Sequence, residues 1–150
     1  MPASPHPLRR WLIGWLYLIA LAHLLVSLTL TWAGHSNLFE HYLGTLESAF
    51  WPGVAPAPAR EQQIWWIALF GATLQSYSIF MLTLVHLGNR LRAPLAWAGL
   101  AAGVLLWAPQ DMLISARQGI WSHLGLDLLA LLVLLPPLFW LYRHDRLSPL

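Results

Sequence analysis

Apolar residues along this chain come in long blocks rather than at amphipathic spacing. Four runs, Trp11 to Trp32, Ile64 to Leu87, Ala93 to Ala116 and Ile120 to Tyr142, each hold 22 to 24 residues. Roughly 20 such residues suffice to cross the ~30 Å hydrocarbon core of a bilayer. The first two runs carry no formal charge, and the third and fourth carry one aspartate each. Spans two and three are joined by about five residues, Gly88 to Arg92, with Pro94 placed for a first helical turn. Spans three and four are joined more tightly, around Gln118-Gly119. Connections this short make neighbouring helices antiparallel. The pattern therefore predicts an all-α, polytopic membrane protein, with four transmembrane helices in one antiparallel bundle and a single domain over residues 1–150.

The exception is the segment from Ala33 to Gln63, which is long for a structureless loop. Within residues 37–51, Leu38, Phe39, Tyr42, Leu43, Leu46 and Phe50 recur at helical spacing, with Glu40, His41, Thr45, Glu47 and Ser48 opposite. This predicts an amphipathic helix across the outer end of the bundle, with Asn37 and Glu40 as a capping pair. Beyond it Pro52, Gly53, Pro56 and Pro58 predict an extended tether. The helix reads either as one resting at the membrane interface or as a lid over a cavity. Its acidic polar face disfavours docking on a lipid surface, where basic faces are usual.

Composition reinforces the membrane assignment. Hydrophobic residues make up 58% of the chain and charged residues 9%, against about 25% charged in soluble domains. No segment outside the spans is long enough for a soluble catalytic domain. Cysteine is absent, which excludes disulfides, iron–sulfur clusters and thiol catalysis. With a net charge of +2 and its arginines beside span ends, the chain is not a nucleic-acid binder. All eight basic residues are arginine, which suggests a GC-rich bacterial source and an inner-membrane location. Arg9, Arg10, Arg90, Arg92, Arg143 and Arg146 fall on one side of the spans, and Arg60 and Arg117 on the other. By the positive-inside rule both termini are cytoplasmic. The first run, too long for a signal-peptide core, is read as a retained span.

Ionisable groups inside a membrane are expensive and mark an interior or a cavity. At 1.5 Å per residue, Asp111 and Asp127 come out roughly 10–12 Å below the outer interface, His23 at ~13 Å and Gln75 slightly deeper. Four spans thus place a polar group at nearly one level. His123 and Asp127 stand one turn apart on span four. Tyr77 neighbours the polar face of span two, and Gln110 adjoins Asp111. Pro109 frees a backbone carbonyl that a protein-lined cavity can satisfy and lipid cannot. The candidate binding residues are accordingly His23, Gln75, Tyr77, Gln110, Asp111, His123 and Asp127, with Asp111 and Asp127 catalytic if the protein is an enzyme. The competing reading makes the same groups interhelical glue, at about 0.6 kcal/mol per contact.

Other motifs carry less. Gly99-x-x-x-Gly103 reads as a helix-packing motif, and Pro136-Pro137 predicts a kink in span four. Haem and divalent-metal ligation lack the required matched spacing, so no cofactor or metal is expected. His6, His35, His41 and His144 read as solvated.

Several features of the layout are shared with one known group. A Trp-rich first span runs from Trp11-Leu12-Ile13 to a histidine at His23. The outer amphipathic stretch ends in Phe50-Trp51-Pro52, and the last span has Pro136-Pro137-Leu138-Phe139-Trp140 followed by Arg143. In these the chain resembles the EXPERA group of emopamil-binding-protein and sigma-2-receptor-like membrane proteins. The resemblance implies a helical bundle with an acid-lined cavity for sterols or hydrophobic amines, and in some members isomerisation of a sterol double bond. The acids here lie in spans three and four and none in spans one and two, so no catalytic residue is carried over.

The leading expectation is a cavity for a small lipophilic ligand or membrane lipid, with acid–base proton transfer as its chemistry. A second is a non-enzymatic accessory subunit packed against a larger membrane protein or against copies of itself. A third, proton or ion translocation, needs a polar route that the Leu-, Ala- and Val-rich inner halves of the spans do not offer.

Overall fold

The computed structural model describes residues 7–147. Four helices are long and apolar enough to cross a membrane: α1 (Pro7–Trp32), α3 (Ala57–Leu91), α4 (Pro94–Arg117) and α5 (Trp121–Leu147). Between α1 and α3 lie a 3-10 turn (Asn37–Phe39) and the short helix α2 (Glu40–Phe50). No strand occurs among the described residues.

Element boundaries depart from expectation where local chemistry explains it. α3 starts at Ala57, ahead of its apolar run, because Pro58 sits in the first turn, where a missing N–H costs nothing. The extended tether is therefore confined to residues 51–56. At its other end α3 continues to Leu91, and Arg92 adopts a left-handed conformation with φ 44°. That residue turns the chain directly into α4, so the connection is shorter than the five residues expected. The Asn37–Glu40 capping pair does not form: the Glu40 backbone N–H donates to the Asn37 carbonyl, and the Glu40 carboxylate reaches Arg60 instead.

α1 packs chiefly on α3, and α4 on α5. Two glycines set how closely elements approach. A Cβ on Gly71 would stand 2.8 Å from both the carbonyl oxygen of Ser27 and the amide of Thr31, so α3 lies directly on the α1 backbone there. Gly88 receives the fully buried ring of Trp97, which a Cβ would meet at 2.7 Å. Gly99 and Gly103, the expected packing motif, are both exposed with no atom within 4 Å of an added Cβ, so they seat no helix among the described residues. The two helix pairs join through a core that includes Leu16, Ala20, Met81, Val85, Val104 and Leu134.

At the end of the bundle that carries Arg9, all four long helices meet in a polar knot. The Arg9 guanidinium donates to both carboxylate oxygens of Asp145 (2.9 and 3.0 Å) and to the Asn89 side chain (3.1 Å). The Trp97 indole donates to Asp145 at 3.0 Å, and His144 lies 3.2 Å from the same carboxylate. Arg9 and Asp145 are 4% and 1% exposed. Burying two charges is unfavourable unless their remaining hydrogen-bonding capacity is filled, and here it is. Arg9 is thus more than an orientation signal, and His144, expected to be solvated, belongs to this knot. His6 lies outside the described residues.

Candidate polar site beneath α2

The opposite end is organised by α2. Leu43 is 2% exposed and seats the helix on the bundle. Arg60, in the first turns of α3, donates to Glu47 twice (2.7 and 2.9 Å) and to Glu40 (2.7 Å). The acidic face of α2 is therefore turned to an arginine of its own chain. These bonds hold the Glu47 carboxyl below the ordinary carboxylate range, and Arg60's Coulomb attraction adds to them.

From α2 a hydrogen-bonded string runs down between α4 and α5. The Tyr42 hydroxyl lies 2.9 Å from Nε2 of His123, with the two rings nearly parallel. Nδ1 of His123 lies 3.2 Å from the Ser115 hydroxyl, which donates to Oδ1 of Asp111 at 3.0 Å. His123 Nδ1 and Asp111 Oδ1 are also 3.6 Å apart. The donor order follows by elimination. Ser115 has one proton and gives it to Asp111, so a neutral His123 carries its proton on Nδ1 and accepts from Tyr42 through Nε2. Every bond then points the same way, Tyr42 to His123 to Ser115 to Asp111. Burial, with the Asp111 charge as a lesser cause, pushes the Tyr42 phenol above its ordinary value and keeps it a donor.

One turn along α5, Asp127 is 3% exposed, and its Oδ2 has no hydrogen-bond partner among the described residues. A carboxylate oxygen buried without a partner is costly, and each such group calls for an explanation.

The other expected residues are divided between two places. His23 bonds the Ile19 carbonyl of its own helix at 2.9 Å and meets the Tyr77 ring edge-on. Gln75 donates to Thr31 at 2.9 Å. These three belong to the α1–α3 contact, and no hydrogen bond among the described residues joins them to Asp111, His123 or Asp127. Gln110 is exposed and folds back on the Leu106 carbonyl of α4, so it is not brought to the acids. Neither Tyr42 nor Arg60 is among the site residues expected from the sequence. Tyr42 reads as part of an apolar stripe and Arg60 as a loop charge, and only the docking of α2 reveals their partners. Two surface grooves, of about 700 Å³ along α3 beside Phe70 and about 440 Å³ between α1 and α5 beside Trp140, are both lined by residues other than these acids. No group of three or more His, Cys, Asp or Glu suited to a metal ion occurs among the described residues.

Compared with known proteins, the chain matches no family model, no curated protein and no solved structure.

Proposed function

We propose that this chain is a multi-pass protein of the bacterial inner membrane, an antiparallel bundle with both termini cytoplasmic, that holds a small lipophilic ligand beneath α2 at an acid- and histidine-lined site. The observation that carries the reading is the unpartnered, buried carboxylate of Asp127 beside the hydrogen-bonded string that joins Tyr42, His123, Ser115 and Asp111. Asp127 supplies a polar group for the ligand, and the string supplies a route by which a proton reaches or leaves Asp111. Acid and base held at two carboxylates meet the requirement of a double-bond shift, in which one carbon gains a proton and another loses one with no redox change. The resemblance to the EXPERA group implies such chemistry in some members, with no catalytic residue carried over to this chain. In this reading α2 is a lid: its polar face is latched to Arg60, and Tyr42 closes the top of the string.

The accessory-subunit reading draws on a different observation, the exposed Gly99 and Gly103 with open space over both. Small residues on an outward face let another transmembrane helix approach closely. Translocation is the least supported, because an apolar layer including Leu16, Ala20, Val85 and Leu138 separates the polar groups at the two ends.

The test is native mass spectrometry of the protein extracted in mild detergent, beside Asp127→Asn and Asp111→Asn. A defined lipophilic mass retained by the wild type and lost in Asp127→Asn is the expected result. An empty wild type, or the same mass on all three, sinks the ligand site; a stable complex with another subunit, indifferent to both substitutions, moves the assignment to the accessory role.

A further inference from the structure

The Arg9 end of the bundle has a groove that the acid site does not use. Trp11 and Trp15 of α1 and Leu132, Pro136 and Trp140 of α5 wall an open groove of about 440 Å³. From Leu132 to Trp140 the wall rises eight residues, about 12 Å, most of the ~15 Å hydrocarbon depth of one leaflet. The indole N–H of Trp15 is occupied by the Val133 carbonyl, so this ring presents its apolar surface to the groove.

Charge follows the groove wall, three residues beyond Trp140 at Arg143. Leu132, Pro136, Trp140 and Arg143 recur at i, i+4, i+8 and i+11, which puts Arg143 on the same stripe as the groove wall. His144 stacks on Trp140 with ring centroids 4.8 Å apart. Arg10, Arg90, Arg92, Arg143 and Arg146 have no carboxylate partner among the described residues. Asp145, the carboxylate at this end, is buried and already bound by Arg9, Trp97 and His144. An open apolar groove about 12 Å long, followed along α5 by an exposed guanidinium with no carboxylate partner among the described residues, is complementary to an acyl chain that carries a phosphate.

We infer that the groove between α1 and α5 binds one anionic glycerophospholipid, its acyl chain along Trp11, Trp15 and Trp140 and its phosphate at Arg143. An apolar helix of another protein would fill the groove but leave Arg143 without a counter-charge, so the lipid is the better match. The inference rests on the membrane reading of the four long helices and is independent of the acid site beneath α2.

The test uses the full chain in mild detergent with phosphatidylglycerol and phosphatidylcholine of identical acyl chains, read by native mass spectrometry. One phosphatidylglycerol should remain on each chain at energies that strip phosphatidylcholine. Arg143→Gln should lower that retention about fivefold, the effect of one arginine near an anionic headgroup. Leu132→Trp, at a position 63% exposed, should lower it as well, by filling the groove while leaving every charge in place. A readout on unaltered protein guards against misfolded variants: phosphatidylglycerol with dibrominated chains should quench more tryptophan fluorescence than its phosphatidylcholine counterpart. Equal retention and equal quenching by the two lipids overturn the inference, leaving a non-selective lipid annulus. Undiminished retention by folded Leu132→Trp also overturns it, leaving attraction to the basic face alone. So does a groove found occupied by a protein subunit.

Discussion

The indole N–H of Trp15 donates to the backbone carbonyl of Val133 at 3.0 Å. That carbonyl is the one Pro137 leaves without a helical donor, because a proline has no N–H to return to residue i−4. α5 runs through Pro136-Pro137 as one helix, and of the two carbonyls these prolines leave without a backbone donor, those of Leu132 and Val133, the second is served by a side chain of α1. The contact also joins the two helix pairs near the middle of the bundle.

Trp15→Phe should destabilise the protein by about 1–3 kcal/mol, the usual result of leaving a buried acceptor unpaired. Ala at position 137 would restore the backbone donor. Thermal melts in detergent should show Trp15→Phe costing less in a Pro137→Ala background than in wild type. Equal costs in both backgrounds would show that the indole contributes packing alone.

Removal of either partner from the buried pair should be severe. Arg9→Gln or Asp145→Asn strips compensation from a charge that stays buried, at about 3–5 kcal/mol. The double substitution should cost clearly less than the two singles added together, since the partners share one interaction. Urea or thermal unfolding of the three variants reads this directly, and strict additivity contradicts the pairing.

The latch on α2 should release in acid. Glu47's carboxyl is held below its ordinary value of 4.5, chiefly by the hydrogen bonds from Arg60. A group depressed in the folded state gives stability that is complete above the unfolded value and disappears as pH falls through the folded one. Protection of α2 amides against hydrogen exchange should therefore be independent of pH near neutrality and fall below about pH 4.5. Glu47→Gln should lose most of that acid dependence. An α2 that opens between pH 6 and 8 would point to a histidine instead.

The glycines should separate into two kinds. Gly71→Ala forces a Cβ against the α1 backbone, an overpacking cost of about 1–3 kcal/mol. Gly99→Ala and Gly103→Ala meet open space and should be neutral or stabilising by up to about 1 kcal/mol. Loss of a co-purifying subunit in Gly99→Leu, with the melting temperature unchanged, would favour the accessory-subunit reading over the ligand site.

Much of the fold was legible because its dominant force is one-dimensional. A run of twenty or more apolar residues must be a helix in a low-dielectric solvent, whatever its neighbours, so the four long helices and α2 appear in the hydrophobic pattern itself. Helix ends were read less well. The pattern sees hydropathy, whereas Ala57 and Leu91 are set by where Pro58 and Arg92 place the backbone. At the site, His123 and Asp127 could be placed one turn apart on one helix. The partners of His123 could not. Tyr42 reaches it across 81 residues of chain, and Arg9 meets Asp145 across 136, separations at which sequence carries no distance information.

What the sequence determined by itself is the class of molecule: helical, apolar, four times long enough for a bilayer, with a short amphipathic helix between the first two long ones. Tertiary structure decided the partners. It assigned His23, Gln75 and Tyr77 to one helix pair and Asp111, His123 and Asp127 to the other. It also turned Gln110 and the Gly99/Gly103 face outward and buried Arg9 against Asp145. The physical reason is that burial of apolar surface is non-directional and sums along a segment. A hydrogen bond or ion pair instead requires two groups within about 3 Å and correctly aimed, a condition that depends on how each helix is rotated and docked.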